Sequence, residues 1–256
     1  MGPTSRKRYI LPVRFLIGCC LGLAICADPG PTEAEGTEAP DARAETNRSR
    51  AEGSPSRGSL VRGVALRPSD HLQRLRVYRG SANRYATVEL LGLLERAAAA
   101  VAEAYPGSVL RVGDLSAERG GRIPWHRSHQ NGRDADLSFY MRHEDGHSVE
   151  ASGFVHFGDD GVGIEPLTML RFDDARNFVL VRALIEDEIQ PAHLVFVSRG
   201  LEARLLAEGE RQGVSDELMD RLRRTIRQPR VRHPHRNHFH IRIACPANDR
   251  PRCRDR

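Results

Sequence analysis

Two short stretches of the chain alternate polar and apolar residues, and this alternation most limits the fold. Asp136 lies in such a run within residues 128–140, and His238 and His240 lie in another within residues 235–243. Side chains of a strand point alternately to its two faces, so each stretch predicts a strand whose ionisable groups share one side. If the two strands lie side by side, they present Asp136 and His240 to a common point.

The segments around these strands have helical periodicity. Helices are predicted at residues 87–104, from 173 or 174 to 185, at 201–210 and at 216–226, and a buried strand is predicted at 193–198. Apolar residues recur at three- and four-residue intervals in the helical segments, with Thr87 as a cap of the first. We therefore expect an α+β fold in which a small antiparallel sheet carries the candidate site and helices flank it.

The first 27 residues are typical of an export signal. A basic start precedes the apolar run 15–26, which is shorter than the about 20 residues that span a bilayer. Ala24 and Ala27 are the small residues expected before a cleavage site, so cleavage after Ala27 is predicted. The alternative is a lipoprotein signal in which Cys19 carries a lipid anchor. Either signal predicts a periplasmic or secreted protein with no stable membrane span.

Residues 28–59 predict a disordered linker, because they contain no aromatic and almost no large apolar residue. The folded domain is therefore predicted at residues 60–256. The formal net charge of the whole chain is +5, a mildly basic value that suits approach to an anionic cell envelope. No run of basic residues with interleaved aromatics is present, so no nucleic-acid partner is expected. The sequence does not indicate an oligomeric state.

Cysteine usage agrees with export. Outside the predicted signal only Cys245 and Cys253 remain, eight residues apart in a proline-containing tail. An even pair at this spacing predicts a disulfide in an oxidising compartment. No Cys-x-x-Cys pair accompanies them, which disfavours a metal site at these cysteines.

The polar groups of the two predicted strands are ordinary zinc ligands. A catalytic zinc ion typically has three protein ligands from imidazole and carboxylate groups, plus one water. His129, Asp136 and His240 would provide such an open site. A further histidine, His238 or His235, would transfer the proton or stabilise the oxyanion.

Other ionisable residues receive no metal role from the sequence. Asp134 is interpreted either as a residue that orients a ligand histidine or as a turn residue after Gly132. Five further histidines are interpreted as ordinary hydrogen-bonded residues; these are His126, His143, His147, His156 and His193.

Longer motifs carry a family resemblance. They are GDLSAERGG at 113–121, SHQNGRDADLSFY at 128–140, FDDARNFVLVRALI at 172–185, RNHFHIRI at 236–243 and CPANDRPRC at 245–253. Together they resemble the penicillin-insensitive murein endopeptidase family. That family belongs with the lysostaphin-type, D-alanyl-D-alanine and hedgehog-like zinc proteins, and the likeness covers roughly residues 60–253.

The resemblance implies roles for individual residues. It makes His129, Asp136 and His240 the ligands of Zn²⁺, and His238 and His235 active-site histidines beside the metal. Its implied substrate is peptidoglycan, in which the family typically cleaves the D-alanyl to diaminopimelyl crosslink by metal-activated water. No serine is acylated in such a reaction, so β-lactams have no nucleophile to trap.

Two alternatives remain open from the sequence. The first is a zinc D,D-carboxypeptidase or dipeptidase that trims stem peptides, because its ligands would be the same. Related dipeptidases have a glutamate base shortly before the last ligand, whereas Asn237 occupies the nearby position here, so a histidine is expected to move the proton. The second alternative is a non-catalytic envelope-binding module that contains zinc.

Overall fold

The structure is a computed structural model that describes residues 48–150, 152–229 and 234–256. The predicted export signal, with the alternative lipidation site Cys19, lies outside these residues. The same holds for residues 28–47 of the predicted linker.

Strands and helices alternate irregularly along the described chain. The strands are β1 (Arg50–Ser54), β2 (Arg57–Val61), β3 (Val64–Ala65), β4 (Leu72–Arg74), β5 (Tyr85–Ala86), β6 (Leu110–Val112), β7 (Asp134–Ser138), β8 (Met141–His143), β9 (Ser148–Val149), β10 (Leu170–Phe172), β11 (Ala192–Phe196), β12 (Ile226–Arg227) and β13 (His238–Ile243). The helices are α1 (Val88–Ala104), α2 (Asp174–Glu186), α3 (Arg199–Arg211) and α4 (Asp216–Thr225). The predicted α+β class is confirmed, and each predicted helix is present with ends shifted by two residues at most.

The helices begin where the sequence supplies a capping side chain. The Thr87 hydroxyl accepts a hydrogen bond from the backbone N–H of Leu90, which starts α1. Asp173 accepts in the same way from the N–H of Arg176 at the start of α2. Each cap satisfies a backbone donor that the first helical turn leaves without a partner.

A six-stranded sheet holds the two predicted strands at its centre. Its strand order is β12-β11-β13-β7-β6-β4, and β13 runs antiparallel to both β7 and β11. The outer pairs β11–β12 and β4–β6 are parallel. The predicted small antiparallel sheet is therefore the middle of a larger mixed sheet. The register places His240 directly opposite Asp136.

The opposite face of β7 and β13 builds the hydrophobic core. Leu137 pairs with Phe239, and both side chains are fully buried. The Phe239 ring packs edge-on against Phe139 at 4.6 Å between centroids and lies 6.3 Å from Phe172. Alternation therefore divides each central strand into an apolar face toward the core and a polar face toward the candidate site.

Residues 48–59 differ from the prediction of a disordered linker. They contribute to the antiparallel hairpin β1–β2, and the side chain of Ala51 is buried with the Cys245–Cys253 disulfide. The Ala51 N–H donates to the Asp249 carboxylate at 2.8 Å. The hairpin is stabilised by backbone pairing and by the C-terminal tail rather than by burial of many apolar side chains. Its composition therefore did not indicate that it folds. The folded domain accordingly starts earlier than the predicted residue 60.

The predicted disulfide between Cys245 and Cys253 is present. Within the three described ranges, no helix is both long enough and apolar enough to cross a membrane.

Replacing Phe239 with alanine is expected to lower the free energy of unfolding by about 3–5 kcal/mol, because it opens a cavity in a cluster of aromatic rings. Urea denaturation followed by circular dichroism measures the change. Ile189→Ala is the control, since Ile189 is 72% exposed and its loss should change stability by at most about 0.5 kcal/mol. Equal stability of the two variants would contradict the assignment of Phe239 to the core.

Candidate metal centre

The three predicted metal ligands meet at one point. His129 Nε2 lies 3.3 Å from Asp136 Oδ1 and 3.2 Å from His240 Nδ1. His240 Nδ1 lies 3.1 Å from the same Asp136 oxygen. All three residues are buried.

These distances fit a single small cation. Ligand atoms that each bind one zinc ion at about 2.0–2.2 Å in tetrahedral geometry lie about 3.3–3.6 Å from one another. The three observed separations are 3.1–3.3 Å, so a metal ion requires only a slight outward movement of the ligands. Three ligands from protein leave the fourth position of a tetrahedron for solvent or substrate. The donor set of two imidazoles and one carboxylate therefore fits an open zinc site.

The backbone before β7 turns sharply to place His129 in the site. His129 has a φ of +66°, a left-handed conformation that is uncommon for residues other than glycine. Its backbone N–H donates to Asp134 Oδ2 at 3.2 Å, which holds this conformation. Its Nδ1 donates to the Leu115 carbonyl oxygen at 3.1 Å. That bond leaves the Nε2 lone pair directed at the centre.

Asp134 orients the ligand His240 from the far side. Its Oδ1 accepts from His240 Nε2 at 3.0 Å and from Arg242 Nε at 2.6 Å. With its proton on Nε2, His240 presents the Nδ1 lone pair to the centre. Of the two interpretations that the sequence left open for Asp134, the contacts agree with the orienting residue.

The electrostatics of the buried groups favour a positive charge at this point. Burial alone would raise the pKa of the Asp136 carboxyl, but the imidazoles of His129 and His238 outweigh burial and hold that pKa well below its usual range. Burial lowers the pKa of His240, yet its contacts with Asp134 and Asp136 raise it overall, to about 9. The two carboxylates therefore stabilise a cation here, whether a proton or a metal ion carries the charge.

His238 lies beside the centre without being one of the three converging ligands. Its Nδ1 is 2.7 Å from Asn237 Oδ1, and its Nε2 is 3.5 Å from Asp136 Oδ1. Phe154 stacks on its ring at 4.8 Å between centroids. The stacking depends on Gly113, because an added Cβ there would lie 2.4 Å from the Phe154 ring. Burial lowers the pKa of His238 to about 4 despite the nearby Asp136 carboxylate, so His238 is neutral at pH 7.

His235 occupies the next position around the centre. Its ring centroid lies 4.8 Å from that of His238 and 5.6 Å from that of His240. Burial and these two neighbours lower the pKa of His235 to about 3. Its Nδ1 is buried and has no hydrogen-bond partner among the described residues. His235 is thus a neutral imidazole beside the centre whose Nδ1 has no hydrogen-bond partner within the described part of the chain.

The structure also places His126 at the centre, where the sequence analysis gave it no role. Its Nε2 contacts Asp114 Oδ2 at 3.2 Å, and its Nδ1 lies 3.7 Å from Asp136 Oδ2. Burial lowers the pKa of His126, but the two aspartates outweigh burial and raise it above its ordinary value. The sequence feature that could have indicated this position is the spacing of His126, three residues before His129, which allows both side chains to lie on one side of the same turn.

A second histidine and aspartate group lies in the turn between β8 and β9. His143 Nδ1 is 3.1 Å from Asp145, which also contacts His147, and the two imidazole rings stack. The side chains of Asp145 and His147 are more than half exposed. This group, whose histidines were predicted to be ordinary, lacks the burial and the orienting partners of the centre around Asp136.

Residues 51–160 match the model of one protein family. That family is the penicillin-insensitive murein endopeptidases. The resemblance predicted from the sequence is confirmed over this segment, which includes His126, His129, Asp134 and Asp136. No curated protein matches the chain significantly.

The matched segment supplies only part of the centre. It starts earlier than the likeness inferred from the motifs, and it ends at residue 160, before β13. The third predicted ligand, His240, lies beyond it, as do His235 and His238. The tertiary structure places these three residues: β13 pairs with β7 and sets His240 opposite Asp136, and the ring of His235 lies beside those of His238 and His240.

Purified protein is expected to bind about one zinc ion tightly per chain, and His240→Ala is expected to lose that ion because it removes one of three ligands. Elemental analysis after gel filtration measures the metal content. His147→Ala is the control, since it removes an exposed imidazole from the other histidine group and should retain the ion. Full metal content in His240→Ala would contradict the assigned centre.

Proposed function

We propose that the protein is a zinc-dependent murein endopeptidase that hydrolyses D-alanyl to diaminopimelyl crosslinks in peptidoglycan. The observation that carries this proposal is the convergence of His129, Asp136 and His240 at one point, with two of them inside the segment that matches the family. The family's action on the cell wall supports an extracytoplasmic location, in agreement with the export signal predicted at residues 1–27.

The proposed metal is zinc because of the donors that surround the centre. Two imidazole nitrogens and one carboxylate oxygen form a common ligand set of catalytic zinc. When bound, zinc would lower the pKa of a coordinated water to about 7 and polarise the carbonyl of the scissile bond. The Leu115 carbonyl and Asp134 orient the rings of His129 and His240, and an ion that binds would replace the proton that the two aspartates stabilise on His240.

His238 is the proposed proton acceptor. Its Nδ1 donates to Asn237 Oδ1, so the unprotonated Nε2 faces the centre beside Asp136. An imidazole that is neutral at pH 7 can take a proton from an attacking water and give it to the leaving amine. Asn237 thus orients the base near the position where related dipeptidases have a glutamate.

His235 is the proposed partner of the oxyanion. Its buried ring lies next to that of His238, and its Nδ1 has no partner in the described part of the chain. A neutral imidazole carries one N–H donor, which can stabilise the negative charge that develops on the carbonyl oxygen. The two histidines would then divide proton transfer and charge stabilisation between them.

Digestion of purified crosslinked murein tests the function. The expected products are monomeric muropeptides with no release of free D-alanine, and the reaction should proceed in the presence of a β-lactam because no serine is acylated. Liquid chromatography with mass spectrometry identifies the products. Release of terminal D-alanine would instead favour the carboxypeptidase, and an absence of products from the zinc-loaded protein would favour the non-catalytic binding module.

His238→Ala is expected to retain zinc but to hydrolyse crosslinks about 10²–10⁴-fold more slowly, because it removes an acid–base group and no ligand. Turnover of a soluble muropeptide dimer, normalised to metal content, measures the loss. The matched control is His193→Ala, which removes an exposed imidazole from β11 and should leave turnover unchanged. Unchanged turnover in His238→Ala would exclude the proposed role.

A further inference from the structure

A cavity of about 690 Å³ lies at the surface next to the loop that carries His126 and His129. We call it the arginine cavity, because five arginines line it: Arg57, Arg122, Arg127, Arg254 and Arg256. The remaining lining residues are two serines and a glutamine, all neutral hydrogen-bonding groups. No aspartate or glutamate is among the lining residues.

The guanidinium groups of the arginine cavity have no ion-paired carboxylate in the described part of the chain. Within the described residues, none of the five forms an ion pair with a carboxylate at 4.0 Å or less. Elsewhere on the surface arginines do find acidic partners, as Arg96 does with Asp187 at 2.6 Å. Five like charges around one depression repel each other, and the resulting positive potential attracts anions.

The walls of the arginine cavity are fixed relative to one another. They come from the β1–β2 turn, the loop 122–130 and the C-terminal tail. The Gln130 N–H donates to the Pro55 carbonyl at 3.1 Å, which joins the loop to the turn. The Arg254 N–H donates to the Gly53 carbonyl at 2.9 Å, which joins the tail to the hairpin.

A buried arginine anchors the tail a second time. Arg133 donates to the Arg254 carbonyl and to the Asp255 carboxylate, each at 2.8 Å. These bonds hold Arg254 at the wall of the cavity. The arginine cavity is therefore a formed feature in which three distant chain segments place their positive groups around the same space.

We propose that the arginine cavity binds carboxylates of the murein stem peptides on the strand whose crosslink occupies the metal centre. This inference rests on the proposed function, because it takes murein as the substrate. Arg127 and Gln130 of the cavity wall flank the proposed ligand His129 in the loop 122–130, so the cavity and the metal centre share one loop. Guanidinium groups bind carboxylates through paired hydrogen bonds, and the stem peptides carry free carboxylates near the scissile bond.

The test compares a soluble crosslinked muropeptide dimer with the same dimer after amidation of its carboxylates. Wild-type, zinc-loaded protein is expected to bind the carboxylate form about tenfold more tightly at 50 mM salt, measured by calorimetry at low temperature. In the double variant Arg57→Gln/Arg254→Gln this preference should fall below about twofold. The KM for the carboxylate form should rise while kcat changes little, because these residues lie outside the metal centre.

The control is Arg221→Gln/Arg224→Gln, which removes two exposed arginines of α4 that form no ion pair among the described residues. It should retain the wild-type preference. Unchanged metal content and melting temperature in both double variants establish that they fold. Hydrolysis of murein is measured in a separate assay. A protein that binds the dimer through its arginines but does not cleave it would refute the proposed function and leave the inference about the arginine cavity standing.

Three results would overturn the inference. The first is equal affinity of the wild type for the carboxylate and amidated dimers, and the second is an unchanged preference in Arg57→Gln/Arg254→Gln. The third is tighter binding of inorganic polyphosphate than of the dimer with the same dependence on Arg57 and Arg254, which would assign the cavity to phosphate polymers.

Discussion

The antiparallel pairing of β7 with β13 is the interaction on which the rest of the structure depends. It joins segments about a hundred residues apart and sets His240 opposite Asp136, 104 positions away in the chain. The same pairing buries Leu137 against Phe239 on the other face of the sheet. A shift of one residue would turn the ionisable side chains into the core, so the apolar pattern that stabilises the fold also fixes the geometry of the site.

The centre concentrates buried ionisable groups, which would destabilise the fold without compensating contacts. Asp134 obtains them from Arg242, from His240 and from the backbone of His129. Asp136 is surrounded by imidazoles, whose attraction holds it in the charged form despite burial. These contacts explain how two carboxylates remain charged in the interior, where they stabilise a positive charge at the centre.

Around this centre, the N-terminal hairpin and the C-terminal tail act as one unit. The disulfide and Ala51 form a small apolar cluster, and Asp249 binds the hairpin backbone. Because the tail is anchored again by Arg133, the arginines at both ends of the described chain are brought to the loop before His129. The segment that composition marks as a linker thus contributes a wall next to the candidate site, through backbone hydrogen bonds rather than apolar burial.

Sequence by itself determined the local features: the helix positions, the disulfide, the alternation of β7 and β13, and the family resemblance. It also predicted the candidate ligands: strand alternation selected Asp136 and His240, which share a face, and the histidine before the first strand and the family resemblance added His129. Only the tertiary structure decided that His126 joins the centre, that Asp134 contacts the far nitrogen of His240, and that residues 48–59 fold. The physical reason is that periodicity reports the side of an element on which a residue lies, whereas contacts between distant segments depend on register, turn geometry and backbone pairing, which leave little trace in composition.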